Sequence, residues 1–222
     1  MGIVPVKTPT IIKKILPDYV WEFSTSEKVL YLTFDDGPTP EITQWTLDTL
    51  KQYQAKATFF CIGNNIQKHP DIFHNILNEG HRIGNHSNTH LKGWRTSVEN
   101  YISDIHEAQK IINFELKKSE IAMQDAHTSR LFRPPYGQIK PGQGKALKAL
   151  GYTVVTWSIL SFDWEKETAP ETCYKNVINE SKPGSIIVFH DSVKASKNLM
   201  HALPKVLAHF SKKGYSFKTL PI

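Results

Sequence analysis

Two acidic residues stand side by side in the stretch VLYLTFDDGP, as Asp35 and Asp36, directly after the apolar and β-branched run 29–34. Adjacent carboxylates at the end of a buried strand are costly unless something cationic faces them. A turn accounts for Gly37 and Pro38, which both favour one, but not for two acids. Further along, GNHSNTH carries His86 and His90, four positions apart. Imidazoles at that spacing on a helical turn share a face and can bind one metal ion, with a carboxylate as the third ligand. A polar loop would hold the same two histidines without any chemistry. In the company of the acids, the metal reading is the stronger. One carboxylate, Asp36, joins the histidines on a divalent ion and its neighbour Asp35 stays free as a base, which is the chemistry of hydrolysis. Two imidazoles and a carboxylate suit zinc, and cobalt, nickel or manganese can occupy such a set.

The remaining candidates fall in short loops. RPPYG holds Arg133 and Tyr136, SFDW holds Asp163 and Trp164, and VFHD holds His190. Each has a bland alternative: a loop stiffened by its prolines, a turn cap beside a core tryptophan, a hydrogen-bonded rim histidine. Arg133 has the further option of standing beside Asp35 and keeping it ionised. What ties these groups together is the elements that must position them. Apolar runs at 29–34, 57–62, 81–84, 130–132, 152–157, 185–189 and 215–218 read as strands, and five of them end at titratable or donor groups. Residues 41–53 place Ile42, Trp45, Leu47 and Leu50 at mostly helical spacing, and 97–117 place Val98, Ile102, Ile105, Ile112 and Leu116 on one broad face. TSVE at 96–99 and TAPE at 168–171 fit capping boxes, and Gly80, Gly151 and Gly214 sit where helices should end. Strands alternating with helices imply parallel pairing, in a doubly wound sheet or a barrel, and both gather function at the carboxyl ends of the strands. No Gly-rich phosphate loop follows the first strand, which removes the usual nucleotide readings.

In chain order, TFDDGP, HSNTH, RPPYG, FDW and VFH resemble the polysaccharide deacetylases with the NodB homology domain, carbohydrate esterase family 4. The resemblance implies an irregular (β/α) barrel of about seven parallel strands and one divalent metal, usually zinc. Carried over residue by residue, it makes Asp36, His86 and His90 the metal ligands, Asp35 the catalytic base and His190 the catalytic acid. Arg133 would orient the base, Asp163 would partner the acid, and the Tyr136 backbone N–H would help hold the oxyanion. Trp164 and Val188 would wall the acetyl methyl; Val188 stands where relatives often carry Leu, and Leu160 where an additional Asp is common. The implied activity is release of acetate from N-acetylated sugars of a polysaccharide or oligosaccharide, of N-acetylglucosamine type and chitin or peptidoglycan class. The alternatives are an O-acetyl esterase or other acyl amidase with the same metal, and an inactive carbohydrate-binding protein. Residues 1–20 are expected to form an extension packed on a single catalytic domain, 21–222, with loops 91–96 and 119–130 setting specificity.

The bulk properties exclude more than they assert. The 222 residues carry 27 Lys and Arg against 21 Asp and Glu, a net charge of +6. The lysines are spread out, and the pairs at 13–14, 117–118 and 212–213 read as solvated helix faces. With no aromatic-interleaved basic motif, the expected partner is an acetylated carbohydrate and not nucleic acid. Oligomeric state has no legible signal. Cys61 and Cys173 are too few for a disulfide scaffold, and Cys61 reads as a small buried thiol. No segment approaches the roughly 20 apolar residues of a membrane span. The N-terminal stretch is broken by lysines and prolines and lacks an unbroken apolar core, so the chain as it stands reads cytoplasmic. A chain trimmed of a leader would read the same, and its place would then be the cell envelope or outside it.

Overall fold

In the computed structural model, which describes residues 5–119 and 130–222, alternation along the first strand decides which side chains meet. β1 (Val29–Asp35) sends Leu30, Leu32 and Phe34 into the core beneath the helices and Val29 and Tyr31 to the opposite face. The period of two therefore puts Thr33 and Asp35 on that second, inner face. β7 (Ile186–His190) repeats the pattern, with Ile187 and Phe189 outward and Ile186 on the inner side. Val188 and His190 follow Ile186 by the same period. β1 and β7 pair in parallel with Asp35 directly opposite His190. The pairing thus brings a carboxylate and an imidazole from distant parts of the chain to one rim.

The other strands are β2 (Ala57–Cys61), β3 (Arg82–Asn85), β4 (Arg130–Phe132), β5 (Tyr152–Val154), β6 (Ile159–Leu160) and β8 (Ser216–Phe217). They form one sheet in the order β5-β4-β3-β2-β1-β7-β6, with β8 added beside the start of β1. Every pairing between these strands is parallel. The sheet curls into an open half-barrel, as the expected irregular (β/α) barrel requires. Helices α2 (Ile42–Gln52), α3 (Gly63–Lys68), α4 (Pro70–Asn78), α5 (Val98–Lys118), α6 (Pro141–Ala149), α7 (Pro170–Glu180) and α8 (Ser196–Lys212) cover its convex face. They neighbour one another in the order α7, α8, α2, α4, α3, α5, α6, following the sheet around.

Three expectations are corrected. The run 152–157 is not one strand: the ladder with β4 ends at Val154, Val155 makes an isolated bridge to Val20, and the chain crosses to the far edge of the sheet, where β6 begins with no helix between. Asp163 and Trp164 therefore follow β6 and not the strand expected before them. The segment ahead of β1, with its short helix α1 (Thr10–Ile15), runs along this crossing. Val20 donates to the Val154 carbonyl (2.9 Å) and accepts from Thr156 N–H (2.8 Å), while Leu160 N–H donates to Val6 (2.8 Å). The cap of α5 is Ser97, which accepts from Asn100 N–H, and not Thr96. At α7 the N-cap position falls to Ala169 with Pro170 following, so Thr168 caps nothing there. Gly80, Gly151 and Gly214 do end helices in the left-handed region, at φ 73°, 77° and 76°. Cys61 and Cys173 are free and buried. Of loop 119–130, residues 120–129 lie outside the described residues. Among the described residues no helix is long and apolar enough to cross a membrane.

Candidate active site

Directly after β1 the backbone turns over at Asp36 (φ 80°), so consecutive acids point to different places. His90 also has a left-handed backbone (φ 58°). Such conformations are uncommon for residues with a Cβ and cluster where a site dictates them. Asp36 Oδ1 lies 3.2 Å from His90 Nε2 and 3.6 Å from His86 Nε2. One ligand atom from each of the three residues falls within 4.8 Å of the others. Asp36 Oδ1 is buried without a hydrogen-bond partner, although both imidazoles lie close to it. A buried acceptor left in this state is what a cation between the three side chains would satisfy. Burial works against the charge on Asp36, but the imidazoles of His90, His190 and His86 hold its carboxyl well below the usual range. His86 Nδ1–H donates to the Arg133 carbonyl (2.8 Å), which fixes the tautomer and leaves Nε2 free as a ligand atom. Burial holds His86 down to about 4, with Asp35 opposing, so the ring is neutral at neutral pH. The donor set fits a divalent ion, with two nitrogens and one oxygen as protein ligands.

Asp35 has a different partner. Arg133, fully buried, donates from Nη1 to Asp35 Oδ1 (2.8 Å) and to Thr33 Oγ1 (2.7 Å). Its Nη2 donates to the Thr156 carbonyl (2.9 Å), and its guanidinium lies 4.1 Å from the Phe60 ring centre. Burial lowers the Arg133 pKa and the Asp35 charge opposes only part of that fall, so each ion is the condition for burying the other. Across the rim, His190 Nδ1–H donates to Asp163 Oδ1 (2.9 Å), and His190 N–H donates to Asp163 Oδ2 (2.7 Å). Ser161 Oγ donates to the same Oδ1 (2.9 Å), and Asn198 holds the Asp163 carbonyl (3.0 Å). Burial alone would depress His190, yet the Asp163 carboxylate overrides it and raises the imidazole to about 9.

These groups open into one cavity of about 360 Å³, lined by Asp35, Asp36, His86, His90 and His190 on its polar side and by Trp157, Leu160, Trp164 and Val188 on its apolar side. Tyr136, at φ 58°, also lines it; its hydroxyl meets His90 Nδ1 at 3.1 Å, and its N–H donates to nothing among the described residues. Arg133 and Asp163 stand behind the wall, each touching a residue that lines it. Several participants had little or no sequence signal. Thr33 shares Arg133, and Trp157 lines the cavity from the end of a run expected to be strand. Asp191, fully buried, accepts from Gly37 N–H (3.1 Å) and Thr43 Oγ (2.5 Å) and so ties down the turn that carries Asp36. Burial pushes its carboxyl up to about 8, against these two donors. Its place directly after His190 at a strand end was the one available hint.

An open parallel (β/α) barrel with carboxylate–arginine and carboxylate–imidazole pairs beside a ligand triad has the layout of a metal-assisted hydrolase. Residues 23–155 match the polysaccharide deacetylase family. The chain is 37% identical over 202 residues to a peptidoglycan-N-acetylglucosamine deacetylase of Bacillus cereus, covering 90% of each. It is 32% identical over 195 residues to the peptidoglycan-N-acetylmuramic acid deacetylase PdaC of Bacillus subtilis, covering 88% of this chain and 38% of PdaC. A crystal structure of a peptidoglycan N-acetylglucosamine deacetylase in complex with 4-naphthalen-1-yl-N-oxidanyl-benzamide aligns at a TM-score of 0.84 and 34% identity, over 96% of this chain and 95% of that one. This chain belongs to the polysaccharide deacetylase family.

Proposed function

We propose that the protein hydrolyses N-acetyl groups on sugars of a peptidoglycan-type glycan, releasing acetate and leaving a free amine. The observation that carries this is the meeting of three separate devices at one cavity: the Asp36, His86 and His90 cluster, the Asp35–Arg133 pair and the His190–Asp163 pair. Asp36, His86 and His90 would hold the ion, zinc by ligand type, and when bound it would polarise the acetyl carbonyl and ease ionisation of a water. Asp35, oriented by its hydrogen bond from Arg133, takes a proton from the attacking water. The Tyr136 N–H is a free donor for the oxyanion of the tetrahedral intermediate. His190, protonated at neutral pH, passes its proton to the departing nitrogen as the C–N bond breaks. Trp157, Leu160, Trp164 and Val188 supply an apolar recess for the methyl group. Residues 21–222 form the catalytic domain in this reading, and its work would lie at the cell envelope, a setting that the relatives' peptidoglycan substrates support.

The test is acetate release from a panel of N- and O-acetylated oligosaccharides, with zinc-loaded wild type, Asp35→Asn and a chelated sample compared. Release from N-acetylated members that disappears in both controls is the expected result. Release that survives Asp35→Asn would remove the base from this mechanism, and release from O-acetyl esters alone would overturn the amidase reading.

A further inference from the structure

Lys194 lies on the exposed loop between β7 and α8 and lines the cavity just described. It also lines a second cavity, of about 430 Å³, which shares Asp36, His90 and Lys194 with the first and extends past Pro38, Asn65 and His69. The two clefts therefore adjoin at the candidate metal ligands, with Lys194 at their junction. Among the described residues that line either cleft, it is the one lysine or arginine. Its ammonium makes no ion pair or hydrogen bond among the described residues, unlike Lys205, which pairs with Glu171. An unpaired surface lysine is ordinary by itself; one at the junction of two clefts in a glycan-processing site is placed to meet substrate.

A polymer with its reacting acetamide in the first cleft must carry its neighbouring sugar out of it, and the second cleft is the adjoining space. A neutral chitin-type sugar offers an ammonium only hydroxyls there. A sugar acid offers a carboxylate, and the charge-assisted bond that results is about twice as strong as a neutral one. Muramic acid, named in one relative's substrate, carries such a group on its lactyl ether. We propose that Lys194 recognises a carboxylate on the sugar next to the one that loses its acetyl group, which makes an acidic, muramoyl-containing strand the preferred substrate over a neutral one. The proposal rests on the deacetylase reading above.

The test uses two tetrasaccharides of alternating N-acetylglucosamine and N-acetylmuramic acid, one with free lactyl carboxylates and one with the same groups as methyl amides. The zinc-loaded full chain should favour the free acid about fivefold in kcat/KM, the value of one solvent-accessible ion pair, with the difference residing in KM. In Lys194→Met that preference should fall close to one, while Lys194→Arg should keep it, and added salt should compress it in wild type. Calorimetric binding of the same pair reads the preference independently of turnover. Wild type that does not distinguish the two sugars, or Lys194→Met that still does, overturns the proposal. Wild type that releases acetate from neither sugar, yet binds the acid more tightly in a Lys194-dependent way, instead sinks the deacetylase reading and leaves the recognition standing.

Discussion

At the scale of single residues, the candidate site gives each buried ionisable group a different partner. Asp35 has an arginine, Asp36 has imidazoles, and His190 has Asp163. The last pair makes a pH prediction with a definite sign. An ordinary imidazole titrates near 6.5, and burial alone would lower His190 further, but Asp163 raises it to about 9. The protonated form that can serve as an acid therefore persists through neutral pH and is lost as pH rises through about 9. Asp163→Asn keeps the size of the side chain and removes the charge and the strongest support of the imidazolium, leaving burial opposed only by Asp36 and Asp35. The alkaline limb of the kcat/KM profile should move towards neutral pH in that variant, and kcat at pH 8 should fall by roughly 10²-fold, the lower end of what a positioned acid contributes. A pH–rate profile on an N-acetylated oligosaccharide checks this, with circular dichroism to show that the fold is kept. An alkaline limb that does not move would mean that His190 does not supply the proton.

At the scale of elements, the open edge of the half-barrel is where the sequence was least legible. β1, β4 and β7 could be read from short apolar runs closed by turn residues, because a strand buried in a parallel sheet shows as a continuous hydrophobic run. The segment 152–157 looks the same locally. Its division after Val154 comes from a partner far away in the chain: Val20 bridges Val155, and the next pairing, of Ile159, is with β7, which makes β6 the opposite edge. A two-residue strand such as β6 has no period to detect. The candidate site shows the same split. Its motif residues were visible as unlikely groups at strand ends, whereas Thr33, Trp157 and Asp191 matter through tertiary contacts that no local pattern records. The N-terminal segment therefore completes the pairing of the chain behind Arg133, whose Nη2 depends on the Thr156 carbonyl. Val20→Pro removes the donor to Val154 and should cost about 1–3 kcal/mol, the penalty for an unsatisfied buried carbonyl. Urea unfolding should show a lower midpoint at unchanged slope, and the Thr156 amide should exchange faster. If both stay at wild-type values, the segment is an appendage and not part of the sheet's edge.

At the scale of the whole molecule, the rim gathers three carboxylates and leaves one carboxylate oxygen without a hydrogen-bond partner. Asp35, Asp36 and Asp163 converge on one arginine and a few imidazoles, and Asp36 Oδ1 has no hydrogen-bond partner. A cation bound there should therefore stabilise the native state as well as assist chemistry. Linkage sets the size: at a free ion concentration 100 times Kd the gain is about 2.7 kcal/mol. For a chain of this length that corresponds to about 5–10 °C in Tm. Chelation should lower Tm by this order, zinc should restore it, and His86→Ala should melt at one temperature with or without chelator. The same histidine sets the acid side. His86 is held at about 4 in the fold against an ordinary 6.5, so the unfolded chain takes up its proton first. The metal-free protein should accordingly lose stability as pH falls from about 6.5 to about 4, and should do so less steeply in His86→Ala. Scanning calorimetry of the metal-loaded, chelated and substituted proteins across that range tests both statements together. A wild-type Tm indifferent to chelation, with metal content measured before and after, would mean that these three side chains are held by one another and not by an ion.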